Sequence, residues 1–399
     1  MKIRYIFIFF ILLIGSLFLI DIFWLKSTDM AKLKEEIKSH YINLDKDSPI
    51  RVGVVWPFPP TSGEDDFKKG ILFALERLNR EKVLGREIEV IFENDERDKE
   101  VAKDIATKFA NEKDILAVIG HDDVDVAIPA SITYEYAGMI MISPAVSSPN
   151  FTRENFDYVF RNTPSDSVIG KGLADLAKRM NFGKIIILNS RDSYSEGLME
   201  IFIERAIDNN LEIVYTQKFN PQEREFSKIL TDISPKINLK IDYDAIFIAG
   251  YEDSLPVLIK KARDYGIYAP FLTGDRLDIT SILDLGKEMD GTIVATIFNT
   301  DVVSERTQGF IEDFRKVYKR NPDTWGAQGY DAMMLLATAI RKVKSLNPEL
   351  IATELKYTNN YNSIFGDYSI NTKGDVVGRD IYFKVIKGGK FRYITKDLY

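Results

Sequence analysis

From Ile50 onward, short apolar runs alternate with longer segments in which apolar residues recur every three or four positions. The runs at Arg51–Trp56, Glu87–Glu93, Ile115–Ile119 and Met139–Ile142 are too short for helices. Three of them are almost wholly apolar, the mark of strands buried on both faces. Between them the spacing predicts helices at Asp65–Asn79, Glu100–Glu112 and Val126–Tyr136, the last closed by Gly138. In the first of these, Phe67, Ile71, Ala74, Leu75 and Leu78 share one face. A second series follows, with strands at Lys184–Asn189, Leu211–Tyr215, Ala245–Ala249, Phe271–Thr273 and Gly291–Ile297. Its helices are Glu196–Asn209, Phe226–Ile233, Ser254–Tyr265 and Thr307–Tyr318. A long helix, Ala327–Leu346, precedes a hairpin in which Asp380–Ile386 and Phe391–Ile394 flank Lys387-Gly388-Gly389.

Strand and helix thus alternate twice, with a break in composition at Arg161–Ser167. That alternation predicts an α/β fold of two doubly wound parallel-sheet lobes rather than one very wide sheet. The length of 399 residues suits two cores at roughly 150 residues each. In open parallel sheets, ligands sit beyond the carboxyl ends of the strands.

The N-terminus follows another pattern. After Lys2 and Arg4, the stretch Tyr5–Leu25 is apolar except for Gly15, Ser16 and Asp21. A membrane span needs about 20 such residues, and Phe23 and Trp24 suit the headgroup zone. No pair of small residues suited to cleavage follows, so residues 1–25 are expected to be an uncleaved signal-anchor. Residues 26–49 are charged, with Leu33, Ile37 and Tyr41 at helical spacing, and read as a stalk. A net charge of −7 spread over the chain gives no basis for nucleic-acid binding. Cysteine is absent, which excludes disulfides and thiolate metal sites.

Catalytic patterns are missing. The two histidines are His40, in the stalk, and His121. His121 with Asp122, Asp123 and Asp125 offers a metal constellation, but one imidazole among acids reads better as a solvated acidic loop. No phosphate loop, dinucleotide fingerprint or nucleophile elbow occurs, and no pair of carboxylates stands out. Hence no catalytic residue, metal ligand or cofactor is assigned, and binding is expected rather than catalysis.

The residues just after the strands form the candidate binding set: Trp56, Ala145, Ser147, Tyr194, Tyr251 and Asp275. The loop Ser143–Pro149 carries three hydroxyls, and Ser148-Pro149 reads as a helix cap whose amides either face an anion or close an ordinary turn. The set suits a small zwitterion: Ser147 and loop amides for a carboxylate, Asp275 for an ammonium, rings for a side chain. A buried ammonium needs such a counter-charge. Structural roles compete, with Trp56 as packing between elements, Tyr251 as a loop cover and Asp275 as a turn cap.

The segments IRVGVVWP, GREIEVIFENDERD, DILAVIGH, AGMIMISPAVSSPNFT, VFRNTPSDS, GKIIILNSRDSYSEGL, YDAIFIAGYEDS and WGAQGYDAMMLLATAI, in this order, resemble the type I periplasmic binding proteins. The likeness is to the leucine/isoleucine/valine-binding branch that serves ABC importers. It spans Ile50 to Ile394 and implies two lobes joined by three crossovers that close by hinge motion on a ligand. On that pattern 50–165 plus 297–366 form lobe 1, and 166–296 plus 367–399 form lobe 2. The family's carboxylate loop falls on Ala145 and Ser147, its aromatics on Tyr194 and Tyr251, its ammonium-binding acid on Asp275. The implied function is an extracytoplasmic receptor, tethered by its N-terminal segment, that delivers an amino acid or related small molecule to an ABC permease. A membrane-anchored sensor signalling through a partner protein is the alternative. Three departures bear on the cargo. Val124 stands amid acids where the family often has a serine, Trp56–Gly63 is short and proline-rich, and Arg276 follows Asp275.

Overall fold

The computed structural model describes residues 31–41, 43–45, 47–58, 65–238 and 241–395. The expected signal-anchor and residues 59–63 of the Trp56–Gly63 loop lie outside them. Among the described residues no helix is long and apolar enough to cross a membrane.

Helix α1 covers 31–41, and it does not stand free as a stalk. Ile37 and Tyr41 are buried, Lys38 pairs with Glu349 at 2.7 Å, and the Lys34 ammonium lies 4.3 Å from the Tyr158 ring centre. Its helical apolar spacing, read as a stalk, is therefore a packing face on the first lobe.

The first lobe is a five-stranded parallel sheet in the order β2-β1-β3-β4-β5. Its strands are β1 (Ile50–Val55), β2 (Ile88–Glu93), β3 (Ile115–Gly120), β4 (Ile140–Ser143) and β5 (Val159–Arg161). Helices α2 (Asp66–Glu81), α3 (Lys99–Glu112) and α4 (Val124–Ala137) connect the first four. The buried pattern of β3 and β4 is continuous, as strands covered on both faces require. Gly138 ends α4 with a positive φ of 68°, as its position predicts.

The second lobe begins with α5 (Asp166–Arg179), inside what the composition marked as a break. Its sheet runs β15-β14-β10-β9-β8-β6-β7. The parallel part is β6 (Lys184–Ser190), β7 (Glu212–Phe219), β8 (Ala245–Ala249), β9 (Phe271–Thr273) and β10 (Thr292–Thr296). Helices α6 (Ser193–Asp208), α7 (Ser227–Ile233) and α8 (Leu255–Asp264) link them. Along β6, Ile185 and Ile187 join one apolar cluster while Ile186 and Leu188 join another on the opposite face.

The chain then returns to the first lobe. Helix α9 (Glu305–Tyr318) packs Phe310 and Phe314 against Phe73 of α2, α10 (Thr324–Val343) packs along α2, and α11 (Pro348–Lys356) follows. A small antiparallel ladder joins β11 (Tyr361–Ser363), β12 (Gly366–Ile370) and β13 (Val376–Val377). The expected boundary at 366 coincides with no change of sheet: Asp375, beyond it, accepts from Thr152 at 2.6 Å in the first lobe. The hairpin β14 (Tyr382–Ile386) and β15 (Phe391–Tyr393) closes the second sheet, antiparallel to β10. Three passages of chain thus join the sheets, after β5, after β10 and after β13.

Most helices start on a side-chain cap, worth about 1 kcal/mol each. Because helices follow strands here, the caps gather at the carboxyl ends of the sheets. Asp123 caps α4 and Asp192 caps α6 in this way, while Asp323 caps α10 on the returning segment.

Candidate functional site

All six expected residues are buried, and each follows a strand at the carboxyl end of its sheet. From the second lobe, Tyr194 starts α6, Tyr251 follows β8, and Asp275 follows β9. The Tyr194 and Tyr251 rings stand 5.6 Å apart, and the Tyr194 hydroxyl donates to Asp275 Oδ1 at 3.4 Å. Gly274 makes this approach possible: a Cβ there would sit 2.5 Å from the Tyr194 hydroxyl oxygen. Asp275 is held inside rather than used to cap the next turn, and burial raises its pKa.

The first lobe contributes the loop after β4. Its conformation is fixed from within. Ser143 Oγ accepts from the Val146 and Ala145 amides at 3.0 and 3.4 Å. Arg161 donates to the carbonyls of Val146, Ser147 and Ser148 at 3.2, 2.8 and 2.9 Å. Ser148-Pro149 opens only a four-residue 3₁₀ turn, and the Ser148 hydroxyl already takes the Asn150 amide. That turn is an ordinary cap, and the Ala145 amide faces Ser143 Oγ within the loop.

A residue that sequence reasoning missed completes the cluster. Asp166, at the start of α5, donates its amide to the Ser147 carbonyl at 2.8 Å. Its side chain is wholly buried, with the Ser147 hydroxyl as the polar side chain set against its carboxylate. Burial and then the charge of Asp275 push it up to about 7, with the Ser147 hydroxyl opposing the rise. Two carboxyls, a serine and a tyrosine thus share one buried space, and the charges of Arg276 and Arg161 oppose the rise without cancelling it.

Above it the lobes are bridged by charge. Asp122 Oδ2 accepts from Arg97 Nη2 at 2.8 Å and from Arg276 Nη1 at 3.1 Å. Arg97 also reaches Glu252 of the second lobe at 2.7 Å, the Tyr251 hydroxyl donates to Asp123, and Ser193 donates to Asp125 at 2.5 Å. Of the stretch read as a solvated acidic loop, Asp125 is exposed, while Asp122 and Asp123 are buried, Asp122 against arginines distant in sequence and Asp123 against Tyr251. His121 is equally buried, its Nδ1 2.6 Å from Asp95 and its Nε2 3.3 Å from the Tyr134 hydroxyl. Gly120 lets β3 end there: its φ is 140°, and a Cβ would meet the Val55 carbonyl at 2.1 Å.

Arg276 is the hub. Its guanidinium lies 5.3 Å from the Tyr194 ring centre, 5.0 Å from Tyr251 and 5.5 Å from Trp325 of α10. Trp56 stacks on Phe67 at 3.9 Å, the packing role weighed for it, and also lines an open cavity of about 560 Å³ with Arg276 and Trp325. Ala145, Ser147, Tyr194, Tyr251 and Asp275 do not line that cavity. Among the described residues no group of three or more histidines and acids has metal-binding geometry.

A family model described as periplasmic binding protein matches residues 49–390. The chain is 25% identical over 359 residues to Leu/Ile/Val-binding protein homolog 2 of Brucella abortus, covering 87% of this chain and 94% of that one. It is similar, at 31% identity and a TM-score of 0.77, to an ABC transporter substrate-binding protein of Desulfitobacterium hafniense solved in complex with Leu. That match covers 87% of this chain and all of the other. A leucine-binding protein of Thermotoga maritima shares the fold, with a TM-score of 0.79 at 24% identity over 87% of this chain and 98% of that one.

Proposed function

The chain belongs to the periplasmic binding protein family, and we propose that it captures a small amine-bearing solute between its lobes, with Asp166 and Asp275 around the ammonium. It is a solute-binding protein of an ABC importer and not an enzyme. The observation that carries the amine is the pair of buried carboxyls, Asp166 and Asp275, set beside Ser147 and Tyr194 and both raised by burial. An ammonium brings both carboxyls a further positive charge and hydrogen-bond donors. Relatives named for leucine, isoleucine and valine binding favour an amino acid as the solute class and transport over sensing. The family works in the periplasm or outside the cell.

Tethering by Tyr5–Leu25 is part of the same proposal, supported by the length of that apolar run. The full chain is expected to stay with membranes through an alkaline carbonate wash. Recovery of the full-length, uncleaved chain in the soluble fraction excludes the tether.

The pH dependence of binding tests the amine. An acid raised to about 7 holds a proton below that value in the free protein, whereas an ammonium partner needs it ionised. Amino-acid affinity, measured by calorimetry, is therefore expected to fall by up to about tenfold per pH unit below pH 7 and to level off above it. An affinity constant from pH 5 to pH 8 removes Asp166 from the ammonium.

A further inference from the structure

The three passages that join the sheets meet on one side chain. Arg379 stands in the third of them, after β13, where Gly378 turns the chain at a φ of 83°. Its Nη1 donates to the Asn162 carbonyl, in the first passage, and to Gln328 Oε1 of α10 at 3.0 Å. Its Nη2 donates to the Ile297 carbonyl, in the second passage, at 3.4 Å. The side chain is buried, with its guanidinium 3.4 Å from the Phe365 ring centre.

Packing alone does not account for an arginine here. None of these hydrogen bonds goes to a carboxylate, and burial pushes its pKa down to about 10, so the charge is held at a cost. An apolar side chain of similar volume would fill the space without that cost. What only a guanidinium supplies is a rigid fork of donors that reaches several chain segments at once. Those segments are the ones that any rotation of one lobe against the other must bend.

The fork is also joined to the candidate site. Gln328, which accepts from Arg379, donates to the Pro144 carbonyl at 2.8 Å, beside Ala145 in the loop after β4. Asn162 is anchored in turn: its amide donates to the Ser143 carbonyl at 3.2 Å and its side chain to Asp331 at 3.2 Å. Gly378, by contrast, has free space, since a Cβ there would meet nothing within 4 Å. The third passage thus has room to turn next to a fixed point.

We propose that Arg379 is a positioning residue for solute binding: it clasps the three passages together and so fixes the axis about which the lobes open and close. The inference goes beyond the amine reading and does not depend on which solute is bound. Affinity depends on how much of the free protein is already competent to bind, so a residue at the hinge acts on it through that population. Without the clasp two carbonyls lose their donor, and the free protein samples a wider range of lobe separations.

Distances between two spin labels test it, in the full chain in detergent with no solute added. The chain has no cysteine, so Lys103→Cys on α3 and Lys260→Cys on α8, both exposed, place one label on each lobe. Arg379→Met removes the fork and is expected to widen the distance distribution about twofold or more. Arg379→Lys keeps the charge but gathers its donors on one nitrogen. A smaller widening is expected of it, and it decides the question should Arg379→Met not fold. A residue that only filled the core would lower the melting temperature on replacement and leave the distribution of the folded protein alone. Distributions of the folded variants that superimpose on the parent's therefore overturn the clasp and leave the amine reading intact.

Discussion

Asp275→Ala is expected to weaken amino-acid binding about thirtyfold or more, and the double replacement of Asp166 and Asp275 to abolish measurable binding. Removing one partner of a buried, hydrogen-bonded charge pair typically forfeits about 2–5 kcal/mol, and 2 kcal/mol is roughly thirtyfold. The free protein should respond in the opposite sense. Asp166 ionises less readily in the fold than in an unfolded chain, so its ionised form opposes folding. For this group stability is greatest below the ordinary carboxylate value of 3.8, falls as pH rises towards about 7, and is flat above. At pH 8, Asp166→Asn should therefore melt about 2 °C or more above the parent without ligand, while binding worse. A carboxylate that served only packing would lose stability on replacement and leave affinity alone. Thermal melts beside calorimetry separate the two, and Asp275→Ala with unchanged affinity removes it from the ammonium.

This trade also explains which parts of the molecule were legible from sequence. Strands such as β3 and β4 were readable because a parallel sheet covered on both faces demands unbroken apolar runs. Helix α5 was not, because Gly170 and Gly172 dilute its pattern. They are there for contact: a Cβ on Gly170 would lie 2.8 Å from Ile201 of α6, and one on Gly172 would lie 2.3 Å from Ile381. Missing α5 meant missing Asp166, which follows no strand that the apolar pattern predicts. The placement of Tyr194, Tyr251 and Asp275 was legible because each lies just past an apolar run that forms a strand. Trp325 and Asp323 were hidden for another reason. They begin α10 on the returning segment, and only the tertiary fold brings that helix to the cleft. The stretch His121–Asp125 misled because charge near charge in sequence suggests solvent, while its neutralising partners Arg97, Arg276 and Tyr251 come from elsewhere.

Those same partners decide how firmly the lobes meet, and Arg276→Met should show it. The substitution keeps the bulk among Tyr194, Tyr251 and Trp325 but removes the donors to Asp122. Asp122, wholly buried, would then keep Arg97 alone, and breaking a buried pair typically costs about 3–5 kcal/mol. Unlike a core residue, Asp122 has an escape, since parting the lobes returns it to water without unfolding either sheet. The loss therefore falls on the contact between lobes, shifting it towards separation by about a hundredfold at 3 kcal/mol. Small-angle scattering of the ligand-free variant should report a larger radius of gyration than the parent, with little change in melting temperature. Asp122→Asn, which keeps the shape and one acceptor, should fall between the two. Scattering profiles of parent and Arg276→Met that superimpose would mean that apolar packing across the seam, and not the Arg97–Asp122–Arg276 bridge, keeps the lobes together.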